Sequence, residues 1–217
     1  MALMPELTPE RARIFRITHI ENVAWILANG LHCNNSPVRD PNFIQIGNPD
    51  LITKRPTRIV SIPPGGSLGD YVPFYFTPCS PMLLNIVTGH NGIKQRPKRE
   101  IVVMVSSLPR LAEQDVTFVF SDRHAYLQTA KFSTNGADLP AMVPWSRLQA
   151  RNFQRRNADD VESFERYQAE ALPHKHVPVT ALTGIACHGP VEEATVRDLV
   201  QNAGVQLAVA AKPEWFF

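Results

Sequence analysis

The sequence predicts an α+β fold with a mixed sheet and two long excursions. Three observations lead there. Strand-like apolar runs and a few amphipathic helices follow one another with no internal repeat and no clear linker, which describes one domain over residues 1–217. The run EIVVMVSSL (100–108) is continuously apolar and suits a buried central strand. Two stretches, 32–58 and 123–160, are polar, proline-broken and weakly periodic. Connections of that length inside a compact domain usually carry function. The 19 prolines imply short elements joined by shaped connections.

Residues 1–12 read as a flexible lead-in. IFRIT (14–18) alternates as a strand, and Thr18 followed by Glu21 predicts a capping box. Val23, Ile26 and Leu27 form a helix stripe that Gly30 is placed to end. IVSI (59–62) and VPFYFT (72–77) read as strands around PPGGSLGD. VTFVFSD (116–122) is a further strand. VESFERYQAEAL (161–172) starts as a helix, which Pro173 prevents from continuing. HVPVTALTGIACHG (176–189) is rich in strand character. PVEEATVRDLVQNAG (190–204) is a helix with Val196, Leu199, Val200 and Ala203 on one face, and VQLAVAA is a last strand.

Composition narrows the function. Apolar residues make up 44% and charged residues 19%, an ordinary globular balance. A net charge of +2 is too mild for a bulk nucleic-acid coat but permits a local basic groove. Cys33, Cys79 and Cys187 are scattered and odd in number, which favours neither a disulfide framework nor a cysteine zinc site. No stretch is long and apolar enough to span a membrane and no signal peptide is evident, so a soluble cytoplasmic protein is expected. Nothing in the sequence calls for an oligomer.

Several motifs offer chemistry. GGSLG (65–69) has the spacing of a nucleophile elbow, which would make Ser67 the nucleophile of a hydrolase, with a histidine such as His124 as base. The elbow needs a strand before the serine and a helix after it, whereas two prolines precede it here and an apparent strand follows. His174, His176, Cys187 and His188 match no common zinc spacing, so no metal is expected. Arg147, Arg151 and Arg155 recur every four residues with Phe153 and Arg156 beside them, and KQRPKR (94–99) is a second basic cluster. Such a pattern suits either a solvated face or a groove that holds a phosphate backbone while an aromatic ring stacks on a base. Without a catalytic group, that would be a binding module. Glu170 sits between alanines where helix gives way to strand, a place from which a carboxylate can point into a cleft. In RITHIENVAWILANGL (16–31) a strand runs into a helix N-terminus, whose free backbone N–H groups suit a polar ligand. A capping box there does not explain Arg16 or His19.

RITHIENVAWILANGL, IGNPDLITKR, PPGGSLGDYVPFYFTPCSPML, FVFSDRHAYLQTAKF, RYQAEAL and the closing KPEWFF, in this order, resemble the DarT family of bacterial toxins, from about Ile14 to Phe217. The resemblance implies a fold like that of the poly-ADP-ribose polymerases, with a split sheet gripping NAD. It implies transfer of ADP-ribose from NAD, the substrate rather than a resident cofactor, onto a base, thymidine, in single-stranded DNA in a sequence-dependent way. It further implies a macrodomain antitoxin partner of the DarG type and action as a monomer. Arg16, Ile17, Thr18, His19, Asn22, Trp25, Cys33 and Arg55 would bind NAD, with residues 34–60 folding over it. Glu170 and Arg55 would be catalytic. Residues 124–169 would recognise DNA through His124, Arg147, Arg151, Phe153 and Arg155. Many relatives carry histidine where this chain has Arg16, and arginine where it has Cys79.

Overall fold

A computed structural model describes residues 3–153 and 161–217. Its elements run β1 (Arg13–His19), α1 (Val23–Asn29), β2 (Leu31–His32), α2 (Pro49–Lys54), β3 (Phe74–Tyr75), α3 (Pro81–Thr88), β4 (Ile101–Ser107), α4 (Leu108–Glu113), β5 (Phe118–Ser121) and β6 (Phe132–Ser133). There follow α5 (Leu139–Met142), α6 (Trp145–Gln149), α7 (Val161–Tyr167), β7 (Glu170–Pro173), β8 (His176–Val177), β9 (Gly184–Cys187), α8 (Pro190–Asn202) and β10 (Ala208–Ala211). Among the described residues, eight strands form one sheet in the order β10-β9-β4-β1-β3-β7-β5-β6. Only β9 and β10 pair in parallel; the other neighbours are antiparallel.

The continuous apolar run becomes β4, flanked by β1 and β9 and buried through Ile101, Val102, Val103 and Met104. A strand covered on both faces cannot alternate, which is why this run does not. The sheet narrows at β3. Its two residues join the β10–β1 half to the β7–β6 half through Phe15↔Tyr75 on one side and Phe74↔Ala171 and Tyr75↔Glu170 on the other. This narrow seam joins the two halves in one sheet and places Glu170 one strand away from β1, with Tyr75 between them.

Helix α1 buries Val23, Ile26 and Leu27, and Gly30 ends it at φ 78°. A Cβ at Gly30 would lie 2.4 Å from His176 Nε2 and 2.5 Å from the Val177 carbonyl, so β8 can approach only glycine there. Helix α8 buries Val196 and Val200, with Leu199 partly covered; Ala203 is exposed beyond its end.

Four expectations are corrected. Residues 3–12 are packed rather than loose: Met4, Leu7 and Ala12 are buried, and the Met4 N–H reaches the Gln149 carbonyl at 2.9 Å. Thr18 makes no capping box. His19 takes that position, its Nδ1 accepting from the Glu21 N–H at 3.2 Å, while Thr18 Oγ1 accepts from the Asn22 amide at 3.0 Å. IVSI forms only an isolated bridge, Ile59↔Ser67, because its neighbours turn into the PPGGSLGD loop. Ser67 is not an elbow nucleophile: its hydroxyl donates to Asp70 at 3.0 Å, capping a single 3-10 turn (Leu68–Asp70) where a helix would be required.

Candidate functional site

At the sheet's seam a cavity of about 440 Å³ opens between β1, α1, the segment 34–55 and the beginning of β7. Arg16, Ile17, Thr18, Trp25, Cys33 and Arg55 line it, and so do His124 and Glu170. Residues more than a hundred positions apart are therefore brought to one wall.

Glu170 is the first residue of β7 and only 2% exposed. An ionised carboxylate this deep requires partners. Arg55 Nη1 lies 2.9 Å from Oε2, and the Ala125 N–H donates to Oε1 at 3.0 Å. The backbone is fixed as well: the Glu170 N–H donates to Ser121 Oγ at 3.1 Å, and that hydroxyl donates to the Arg123 carbonyl at 2.6 Å. Arg55 Nη2 is buried without a partner among the described residues. It is a donor left over for a ligand.

His124 Nδ1 accepts from the Tyr126 N–H at 3.2 Å and lies 3.5 Å from Glu170 Oε1. Burial lowers the pKa of His124; Glu170 opposes the shift and Arg55 adds to it. The ring is therefore neutral, with its proton on Nε2. Arg16 Nη1 donates to the Pro73 carbonyl at 2.9 Å, and burial, then Arg55, lower its pKa to about 10, so it stays charged. Three arginines (Arg16, Arg39, Arg55) face two carboxylates (Asp40, Glu170) around the cavity, an excess that favours an anionic ligand.

Tyr75 completes this wall opposite Glu170, and burial, then Glu170, raise its phenol pKa. Sequence reasoning missed it. Its one signal is its place in VPFYFT, and the pairing with β7 that gives it a role is not written locally.

Two expected NAD ligands support the wall and do not line it. His19 is turned to Glu21 and to Glu100, 3.4 Å away. Asn22 is buried and exchanges two hydrogen bonds with the backbone of Ile44, both at 2.9 Å, which pins the covering segment to α1.

The arginine ladder is not a ladder. Helix α6 ends at Gln149, and Arg151 sits at φ 52°, so a spacing of four does not place Arg147 and Arg151 on one helical face. Arg151 is 7% exposed, its guanidinium 5.7 Å from the Phe217 ring. Burial raises the Cys79 thiol to about 11. Phe153 is partly buried and packs on Tyr167 (5.4 Å) and Phe217 (5.8 Å). Arg147 Nε donates to the Asn152 carbonyl at 3.5 Å. Arg155, with Arg156, lies outside the described residues. Among the described residues no group of three or more His, Cys, Asp or Glu side chains is placed to hold a metal. No helix among them is long and apolar enough to cross a membrane.

A family profile described as "ssDNA thymidine ADP-ribosyltransferase, DarT" matches residues 15–217. The chain belongs to the DarT family. It is 47% identical over 211 residues to a DNA ADP-ribosyl transferase of Escherichia coli O127:H6 (strain E2348/69 / EPEC), covering 97% of this chain and 96% of that one. The solved structure of Thermus sp. 2.9 DarT in complex with ADP-ribosylated ssDNA is similar at a TM-score of 0.82 and 30% identity, covering 96% and 98% of the two chains. The complex of Thermus sp. 2.9 DarT with NAD+ gives 0.77 at 31% identity, covering 96% and 99%. As a member of the DarT family, the protein is a single-stranded-DNA thymidine ADP-ribosyltransferase. The readings as a hydrolase and as a module without chemistry are set aside.

Proposed function

We propose that the cavity at the seam binds NAD+ and that Glu170 and Arg55 transfer its ADP-ribose to a thymine ring nitrogen. The observation that carries this reading is the buried Glu170 carboxylate held between Arg55 and the Ala125 N–H, with Arg55 Nη2 unused. The nicotinamide–ribose bond breaks with its electron pair leaving on nicotinamide, and positive charge develops on the ribose. A fixed carboxylate at that point stabilises the charge most in the transition state. The thymine nitrogen then bonds to the ribose and releases its proton to Glu170. Arg55 keeps its charge throughout and acts by position and electrostatics. Arg16, with the pocket's cationic excess, suits the pyrophosphate.

His124 presents Nε2–H to the acceptor base, and Arg147 belongs to the DNA-facing stretch. Single strands are required because the target base must leave any stack before reaching the cavity. In the fuller reading the enzyme works in the cytoplasm as a monomer, opposed by a DarG-type macrodomain antitoxin that removes the mark; the family resemblance supports it. Incubation with NAD+ and oligonucleotides of varied sequence tests the core reading. A mass gain of one ADP-ribose is expected on oligonucleotides containing thymidine and on none in which every thymidine is replaced by cytidine.

A further inference from the structure

A closed circuit of contacts joins the covering segment to the loop that carries His124, and Arg58 is its member outside the catalytic corner. Arg55–Thr57 form one 3-10 turn, closed by the Arg58 N–H on the Arg55 carbonyl at 3.1 Å. From this turn Arg55 reaches Glu170, and Glu170 holds the Ala125 N–H. The loop then bends back, the Leu127 N–H donating to the His124 carbonyl at 3.1 Å. Arg58 Nη2 completes the ring by donating to the carbonyls of Leu127 (3.1 Å) and Gln128 (3.5 Å), its guanidinium 5.8 Å from the Phe132 ring. At the other end of the loop the Asp122 N–H donates to the Lys131 carbonyl and Asp122 Oδ1 accepts the Lys131 N–H. Asp122 therefore fixes the base of the loop and Arg58 fixes its tip.

The geometry points to Arg58 as a positioning residue that decides which acceptor receives the ADP-ribose, an inference that rests on the transferase reading above. Glu170 is buried, with His124 Nδ1 3.5 Å from its Oε1 and the Ala125 N–H donating to the same oxygen. Two reactions compete once the bond to nicotinamide breaks. A thymine nitrogen can attack the ribose and lose its proton, or a water oxygen can attack and lose its proton, giving free ADP-ribose. Each consumes one NAD+ and releases one nicotinamide and one proton. The loop's position favours the base and keeps water out. Releasing its tip leaves the Arg55–Glu170 pair in place, so nicotinamide still departs while more of the ribose is captured by water.

Arg58→Met keeps an unbranched apolar stem and removes the guanidinium fork with its contact to Phe132; Arg58→Lys keeps a single charged head. Nicotinamide release and modified oligonucleotide are measured together at saturating NAD+, with melting curves for each variant. Arg58→Met should raise the ratio of free ADP-ribose to modified oligonucleotide on the order of tenfold, and Arg58→Lys by less. An unchanged ratio in folded Arg58→Met overturns the proposal. Should that variant fail to fold, Arg58→Lys decides, and an unchanged ratio there overturns it equally. A wild-type protein that modifies no oligonucleotide would count instead against the transferase reading itself.

Discussion

The Glu170 corner and the stretch from Arg147 to Phe153 both set charged or aromatic residues in unusual sequence surroundings, and the fold places them differently. At the corner, a buried charge meets an opposite charge and still leaves a buried donor, Arg55 Nη2, unused. In the second stretch a buried charge, Arg151, meets an aromatic face and likewise leaves a buried donor, Nε, without a partner among the described residues. Burial alone therefore does not mark a site. What separates the two is that Arg55 and Glu170 line the cavity at the seam, and Arg151 is not among its lining residues.

The largest effect expected from this contrast is at Arg55. Arg55→Ala leaves a buried carboxylate short of its cationic partner and should lower transfer by about 10²–10³-fold, measured as modified oligonucleotide per minute. Near-wild-type transfer in that variant would erase the distinction between the two regions. Arg151→Met sharpens it from the other side. The melting temperature should fall by about 2–4 °C, the response to roughly 1 kcal/mol in a chain of this size. The slope of DNA affinity against salt should not change, because a buried guanidinium contacts no phosphate. A shallower slope would return Arg151 to the DNA surface.

The smallest effect is in pH. Burial lowers the pKa of His124, and of His32 and His174 as well. All three are held neutral in the fold, so on acidification the unfolded chain takes up protons first, at the ordinary histidine value of about 6.5. Stability should therefore decline from there downward until the folded-state groups also charge. His124→Asn should reduce that decline in melting scans between about pH 7.5 and about pH 5. A melting temperature that is flat or rises on acidification contradicts the assignment of neutral rings.

Much of this molecule is written locally. β1, α1 and its Gly30 stop follow from alternation, a helix stripe and a positive φ, and Glu170 stood out because a carboxylate between alanines at a helix–strand junction is unusual. Arg55 came from family resemblance alone, since nothing near it in sequence says that it meets Glu170. Tyr75 and Arg58 were invisible for the same reason: β3–β7 pairing and the 127–128 carbonyls give them their roles. The arginine repeat misled because a spacing of four has meaning only on a continuous helix, and α6 stops before Arg151. Thr18 misled because His19, one residue on, offers the better-placed acceptor.

Glu170→Gln tests the central claim most directly, since it keeps the side chain's shape while removing the charge and one of the two acceptor oxygens. NAD+ binding is measured by titration and transfer by oligonucleotide mass under single-turnover conditions. The expected result is NAD+ affinity within a few-fold of wild type and transfer lowered by at least about 10³-fold. Transfer at the wild-type rate by a folded Glu170→Gln protein would contradict the account.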